Sequence, residues 1–191
     1  MKRISLVKEA HAIIQQHLQP GDIALDATVG NGHDTLHLAK QVGPAGQVYG
    51  FDIQASALDS ARLKLEQHNL CACVTLSHDS HAHIAEVIPE HHQGNIKAVM
   101  FNLGYLPGSD KTVITQTGST LAALNAALAV LAPKGVVTIL AYPGHSGGDE
   151  ETSSVQNWCG QLNSHQFSVR IIHSTEQTST SPRLMVIEKI E

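Results

Sequence analysis

The chain has 191 residues, of which 42% are hydrophobic and 15% are charged, and its formal net charge is −5. This length favours one domain over residues 1–191, and the negative charge argues against a broad basic surface that would attract nucleic acid. Three cysteines are too few for a disulfide framework, and no apolar run approaches the length of a membrane span. We therefore expect a cytoplasmic protein that has no membrane contact.

Histidine and cysteine are the residues that would form a transition-metal site, and the chain has 13 histidines. Cys71 and Cys73 make one closely spaced pair, without the second pair that a zinc site needs. His81 and His83 are two residues apart, which directs their side chains to different faces of a helix. We predict no metal site.

Hydrophobic periodicity predicts alternating helices and strands along the whole chain. The predicted helices cover about 4–18, 33–42, 55–68, 81–87, 112–132 and 150–162, and the predicted strands cover about 22–26, 47–51, 73–76, 96–101, 136–141, 167–173 and 183–189. The connection between the last two strands is too short for a crossover helix, so these strands should form an antiparallel hairpin. The first helix is amphipathic; it lies on the sheet or over a cofactor, or pairs two copies of the chain.

The first strand leads into a glycine turn, and a helix follows directly. Asp26 ends the strand, and the turn is Gly30-Asn31-Gly32. Such a turn lets backbone approach a ligand closely, and the helix start behind it offers free N–H groups. Asp26 would attract the ammonium of S-adenosylmethionine (SAM), whereas the dinucleotide pattern is incomplete because Thr35 stands at its third glycine. SAM, a dinucleotide and a purely structural turn remain the three interpretations of this stretch.

Two further strand ends carry residues that suit an adenosine. Asp52 ends the second strand, where a carboxylate would accept both ribose hydroxyls, and Gln54 follows it. After the third strand, Asp79 would accept from the adenine amino group, while Ser80 or His81 would donate to a ring nitrogen. The alternative is that Asp52, Asp79 and Ser80 only cap helices.

The fourth strand is almost continuously apolar, as a central parallel strand should be, and Asn102 and Tyr105 follow it. This pattern resembles the Asn-Pro-Pro-Tyr type motif of amino-group methyltransferases. In that motif the Asn amide oxygen accepts from the substrate amine and the aromatic ring stacks on it. The alternative is a capping Asn beside a core Tyr. The fifth strand ends in a second glycine-rich loop, which we interpret as facing the substrate.

Seven strands, of which the first six are joined by crossover helices, and a terminal hairpin predict an α/β Rossmann-like class I methyltransferase fold. This is a seven-stranded, mostly parallel sheet with a C-terminal antiparallel hairpin and helices on both faces. The chain resembles the small rRNA-methylase-like family of these enzymes. The motifs that carry the resemblance are Asp26-x-Thr28-x-Gly30-Asn31-Gly32-His33-Asp34-Thr35, Phe101-Asn102-Leu103-Gly104-Tyr105-Leu106-Pro107-Gly108 and Tyr142-x-Gly144-His145-x-Gly147-Gly148-x-Glu150.

The resemblance implies SAM as cofactor and the 5-aminomethyl group of 2-thiouridine, at the wobble position of tRNA, as methyl acceptor. The implied catalytic residues are Asn102, Tyr105 and His145, with Asp110 as a second candidate proton acceptor. The implied cofactor-binding residues are Asp26, Gly30, Asn31, Gly32, Asp34, Asp52, Gln54, Asp79, Ser80 and His81. The implied substrate-binding residues are Leu103, Gly104, Pro107, Asp110, Lys111, Tyr142 and Gly144.

Other functions remain compatible with the same sequence. An rRNA or small-molecule amine methyltransferase would keep the fold and change the substrate. A regulator would bind SAM without transferring its methyl group, and an NAD-dependent reductase would bind a dinucleotide instead. Lys2, Arg3, Lys111 and Arg183 are candidate phosphate contacts for an RNA partner, in particular for the anticodon region of tRNA.

Overall fold

The computed structural model describes residues 5–104, 117–144, 147–174 and 178–191. The strands are β1 (Ile23–Asp26), β2 (Gln47–Asp52), β3 (Val74–His78), β4 (Ile96–Asn102), β5 (Leu131–Ala141), β6 (Phe167–His173) and β7 (Arg183–Lys189). The helices are α1 (Leu6–His17), α2 (His33–Val42), α3 (Ala55–Glu66), α4 (Ile84–Val87), α5 (Thr117–Val130) and α6 (Gly148–Gln161), and 3-10 turns lie at Cys71–Cys73, His81–His83 and Glu90–His92.

The seven strands form one sheet with the order β3-β2-β1-β4-β5-β7-β6. Strands β1 to β5 are parallel, and β7 is antiparallel to both β5 and β6. The predicted fold class and the terminal hairpin are thus confirmed. The strand order reverses between β1 and β4, and in open parallel sheets ligands bind at such a switch point, beyond the carboxyl ends of the strands.

Helices cover both faces of the sheet. One face buries apolar residues of α4, α5 and α6 around Phe51 and Phe101. The other face buries residues of α1, α2 and α3. The N-terminal helix contributes Leu6, Ala10, Ile13 and Ile14 to this second layer, so it packs on the sheet. No helix within the described ranges is both long and apolar enough to cross a bilayer.

Strand β5 begins earlier than the sequence predicts. Residues 133–135 were expected to be a stop before the strand, whereas the structure pairs Leu131 with Ile96 and resumes pairing between Val136 and Ala98. Lys134, which has a φ of +60°, lies in the irregular segment between the two pairings. The Pro-Lys-Gly sequence therefore interrupts a strand instead of preceding it. The helix predicted over 81–87 is likewise divided into a 3-10 turn and the short α4.

The glycine turn between β1 and α2 has the backbone conformation that glycine favours. Gly32 is the N-cap of α2 and has φ +72° and ψ +20°. A Cβ at this position would lie 2.7 Å from both Cα and Cβ of Ala61, which is in α3. Glycine at this position therefore allows α3 to pack directly against the start of α2.

We expect Gly32→Ala to lower the free energy of unfolding by roughly 2–4 kcal/mol, because left-handed strain adds to a clash with helix backbone. Gly94→Ala is the matched control, since Gly94 has φ +76° and open space around its missing Cβ; its cost should be about 1 kcal/mol. Urea denaturation of both variants measures the difference. Equal losses would show that the contact with Ala61 does not restrict this position.

Candidate active site at the ends of β1 and β4

Asp26 lies at the carboxyl end of β1 and is completely buried. Its Oδ2 accepts from the Thr35 hydroxyl at 2.6 Å, and its Oδ1 accepts from the Thr28 N–H at 3.1 Å. Burial, together with the nearby Asp34 carboxylate, raises the pKa of Asp26 to about 7. The side chain thus joins the strand end to the first turn of α2. Its predicted role as direct partner of the SAM ammonium stays a prediction.

Asp34 connects three elements at the switch point. Its Oδ1 lies 2.6 Å from Nε2 of His11, which comes from α1. Its Oδ2 lies 3.4 Å from the amide nitrogen of Asn102, at the end of β4. The backbone N–H of Asn102 donates to the Thr28 hydroxyl at 2.7 Å, so the ends of β1 and β4 are also linked directly.

Asp52, at the end of β2, is held by two backbone donors. The Gly30 N–H donates to its Oδ2 at 2.8 Å, and the Gln54 N–H donates to its Oδ1 at 2.9 Å. Each carboxylate oxygen has a second lone pair that these bonds leave free. The half-buried carboxylate is therefore fixed against the glycine turn and retains two acceptor sites, which is what a ribose diol requires.

Asp79 and Ser80, which were predicted to contact adenine, already make hydrogen bonds within the protein. Asp79 Oδ1 accepts from the Ser80 N–H and lies 2.8 Å from His83 Nδ1, and the bond to His83 lowers the pKa of Asp79. The Ser80 hydroxyl accepts from the Ala82 N–H, as an N-cap does. Both residues remain partly exposed.

The structure gives the His81 side chain a different role from the predicted donation to adenine. The ring is buried, and its Nδ1 lies 3.1 Å from the Ala27 carbonyl oxygen. Burial lowers the pKa of His81. Because a carbonyl only accepts, the proton of the neutral ring lies on Nδ1, and Nε2 can only accept. The ring supports the backbone just after β1.

The predicted substrate-side residues that the structure describes fall into two groups. Leu103 is 1% exposed and packs in the core beside α5. Contrary to the prediction, its side chain therefore does not line the substrate site. Gly104, Tyr142 and Gly144 lie at the ends of β4 and β5, next to the switch point. Burial, reinforced by the Asp34 charge, raises the pKa of Tyr142 to about 12, so its hydroxyl stays protonated at neutral pH.

Several predicted residues lie outside the described ranges, namely Tyr105, Pro107, Asp110, Lys111 and His145, as do Lys2 and Arg3. Arg183 is described; it donates to the side-chain oxygen of Gln156. In the part of the chain that the structure describes, no group of three or more histidine, cysteine, aspartate or glutamate side chains is arranged to hold a metal ion.

Four residues of this network were not predicted as site residues: His11, Thr28, Thr35 and His37. The two threonines lie inside the first motif, so their position beside Asp26 was a usable signal. The two histidines carry no comparable signal, because their contact depends on where α1 lies against α2.

The donor and acceptor set at this edge fits SAM. The fixed Asp52 carboxylate suits the ribose hydroxyls. Gly30 and Gly32, which both have positive φ, form the tight turn beside it. The Asp34 carboxylate, next to the buried Asp26, would give the neighbouring region the negative charge that an ammonium group needs.

The raised pKa of Asp26 predicts a pH dependence of stability. Between about pH 4 and pH 7 the folded chain keeps a proton on this group that the unfolded chain has released, so the free energy of unfolding should fall as pH rises through that window. Asp26→Asn should flatten this decline. Asp59→Asn, at a side chain 70% exposed on α3, is the control and should leave the decline unchanged. Parallel curves for wild type and Asp26→Asn in chemical denaturation would contradict the assignment.

Known proteins that resemble this chain in sequence and fold are methyltransferases or putative methylases. A family model described as "Putative rRNA methylase" matches residues 48–188. A crystal structure of a putative rRNA-methylase from Clostridium thermocellum superposes with a TM-score of 0.93 at 36% identity, covering 100% of both chains. A putative methyltransferase from Streptococcus mutans, in complex with SAH, superposes with a TM-score of 0.87 at 38% identity, covering 97% of this chain and 98% of that one.

A curated relative extends the comparison to a named RNA substrate. The chain is 41% identical over 155 residues to an Arabidopsis thaliana protein named "tRNA (mnm(5)s(2)U34)-methyltransferase, chloroplastic". The match covers 77% of this chain and 56% of the plant protein, so the chain spans little more than half the length of that relative. The resemblance inferred from the motifs is confirmed by the family match: the chain belongs to the family described as putative rRNA methylases, which has the class I fold of SAM-dependent methyltransferases.

Proposed function

We propose that the protein transfers a methyl group from SAM to the nitrogen of a 5-aminomethyl group on the wobble 2-thiouridine of tRNA. The observation that carries this proposal is the orientation of the Asn102 amide at the switch point. Its nitrogen faces Asp34 Oδ2 at 3.4 Å, and a carboxylate only accepts hydrogen bonds. The amide oxygen is therefore the atom of Asn102 that remains for a substrate.

An amide oxygen in this position suits an amine acceptor. A neutral primary amine has two N–H donors and one lone pair, and the lone pair must point at the methyl group. Accepting one N–H with Asn102 Oδ1 fixes the rotation of the amine and leaves that lone pair free. Asn102 is itself held by the Thr28 hydroxyl through its backbone, so the acceptor is fixed before the substrate arrives.

The remaining residues divide between cofactor and substrate. When bound, SAM supplies a methyl group that its sulfonium makes electrophilic. Asp52 would hold the ribose hydroxyls, and Asp34 with Asp26 would favour the ammonium end. On the substrate side, Tyr105 stacks on the base, and His145 or Asp110 takes the proton that the amine releases.

The choice of tRNA is supported by the plant relative, whose name specifies uridine 34 of tRNA. A wobble base is already single-stranded, so the protein need not open a duplex to reach it. The net charge of −5 implies that RNA is held by contacts with local groups and not by a positive electrostatic potential over the whole surface. Ribosomal RNA is the second candidate, because the matching family is described by that substrate.

The experiment is methyl incorporation from labelled SAM into tRNA and rRNA isolated from cells that lack this protein, followed by nucleoside mass spectrometry. We expect label in tRNA, on a nucleoside whose mass equals 5-aminomethyl-2-thiouridine plus one methyl group in place of a hydrogen. Label confined to rRNA would reject the tRNA proposal in favour of the second candidate. Absence of label from both RNAs, with SAM bound, would reject RNA as the substrate.

Asn102→Ala tests the role of the amide oxygen. We expect methyl transfer to fall by about a hundredfold, because the amine loses its fixed orientation. SAM binding by calorimetry should stay close to the wild-type value, since Asp52 and the glycine turn are unchanged.

Asn95→Ala is the matched control for this variant. Asn95 immediately precedes the same strand, at the opposite edge of the sheet, and its amide donates to the His91 carbonyl. This control should transfer methyl groups at the wild-type rate. An Asn102→Ala enzyme that also keeps the wild-type rate would exclude Asn102 as the amine acceptor.

A further inference from the structure

The N-terminal helix brings a titratable side chain into the active site. His11, in the middle of α1, places Nε2 2.6 Å from Asp34 Oδ1, and the two side chains are 24% and 9% exposed. Packing of α1 does not require this contact, because Leu6, Ala10, Ile13 and Ile14 already bury its apolar face. The contact therefore needs an explanation beyond attachment of the helix.

The orientation of the His11 ring is fixed by a second histidine. The rings of His11 and His37 are stacked, with centroids 4.0 Å apart and planes within 6° of parallel. His37 Nε2 lies 3.2 Å from the backbone carbonyl of His11, which can only accept, so His37 carries its proton on Nε2. Burial lowers the pKa of His37, which favours a neutral ring in this stack. His37 holds both the ring plane and the backbone of His11.

Asp34 passes this restraint on to Asn102. One carboxylate oxygen is bound by His11 and the other faces the Asn102 amide nitrogen. A carboxylate is planar, so fixing one oxygen restricts the direction of the other. Without the His11 donor, the Asp34 carboxylate would be free to rotate. The Asn102 side-chain amide would then lose the acceptor that holds its nitrogen toward Asp34 and its oxygen toward the substrate.

We propose that His11 is a positioning residue of the methyltransferase site: its Nε2–H holds Asp34, and Asp34 holds the Asn102 amide with its oxygen toward the substrate. This inference rests on the proposed function in one respect, namely that Asn102 receives the amine. The role belongs to α1, which lies outside the segment that the family model matches.

The kinetic test uses three variants. His11→Leu removes the donor, and His11→Gln restores an N–H near the position of Nε2. His17→Leu is the matched control, because His17 lies on the same helix, is 22% exposed and has its Nε2 3.9 Å from the Glu188 carboxylate. All three should unfold cooperatively and be folded at the assay temperature, and His11→Leu should have the lowest Tm because the nearly buried Asp34 carboxylate loses a donor.

We expect His11→Leu to lower kcat at least tenfold while KM for RNA changes by less than about threefold and the SAM dissociation constant changes by a smaller factor than kcat, since Asp34 contributes only to the ammonium end of SAM and the other contacts to both ligands remain. His11→Gln should recover most of kcat, and His17→Leu should match wild type. A wild-type kcat for His11→Leu, or a His11→Gln enzyme as slow as His11→Leu, would overturn the proposal.

A second readout does not depend on the substrate. The side-chain amide signals of Asn102 in nitrogen-15 NMR spectra report the environment of its nitrogen directly. They should shift in His11→Leu, return toward wild type in His11→Gln and stay unchanged in His17→Leu. Unchanged signals in His11→Leu would overturn the link between His11 and Asn102. Shifted signals in a protein that methylates no amine would support the link and reject the proposed function.

Discussion

Two carboxylates at the switch point, Asp26 and Asp34, impose the constraint on which the site depends. A desolvated carboxylate is costly unless hydrogen-bond donors compensate it. The donors come from different parts of the chain: Thr28 and Thr35 for Asp26, and His11 and Asn102 for Asp34. Satisfying these two groups draws β1, α1, α2 and β4 together. The same contacts leave the Asn102 amide with one free end, and the proposed chemistry follows from that asymmetry.

The cofactor half of the site has a simpler origin. Parallel strands bring their carboxyl ends to one edge, so Asp52 at the end of β2 lies beside the turn that follows β1. The Gly30 N–H then holds Asp52, and Gly32 lets α3 approach α2. Side-chain identity matters at few positions here, whereas backbone conformation matters at several. This part of the site therefore depends on the fold more than on long-range side-chain contacts.

The features that depend on local backbone patterns could be predicted from the sequence, whereas those that depend on long-range side-chain contacts could not. Strand ends, the glycine turn and the terminal hairpin follow from local patterns, and Asp26, Asp34, Asp52 and Asn102 lie at the switch-point edge because strand order brings them there. Leu103 was assigned to the substrate by its place in a motif, but its backbone N–H pairs with Leu140 and its side chain enters the core. Residues 133–135 resemble a helix stop, and only the pairing of Leu131 with Ile96 shows that the strand has already begun.

The contact of His11 with Asp34 could not be predicted, because the two residues are 23 positions apart and periodicity gives no information on how α1 is rotated about its axis. Once that placement is known, physical chemistry assigns the contact directly: a histidine donor meets a half-satisfied carboxylate. The result is a site in which a helix outside the sheet-forming motifs restrains the group that is proposed to bind the substrate.

The most direct test of this account is a crystal structure of the protein with SAH and an anticodon stem–loop that carries 5-aminomethyl-2-thiouridine. We predict that Asn102 Oδ1 lies within hydrogen-bond distance of the aminomethyl nitrogen while Nδ2 still faces Asp34. An amine bound elsewhere, or an Asn102 amide whose nitrogen faces the substrate, would contradict the central claim.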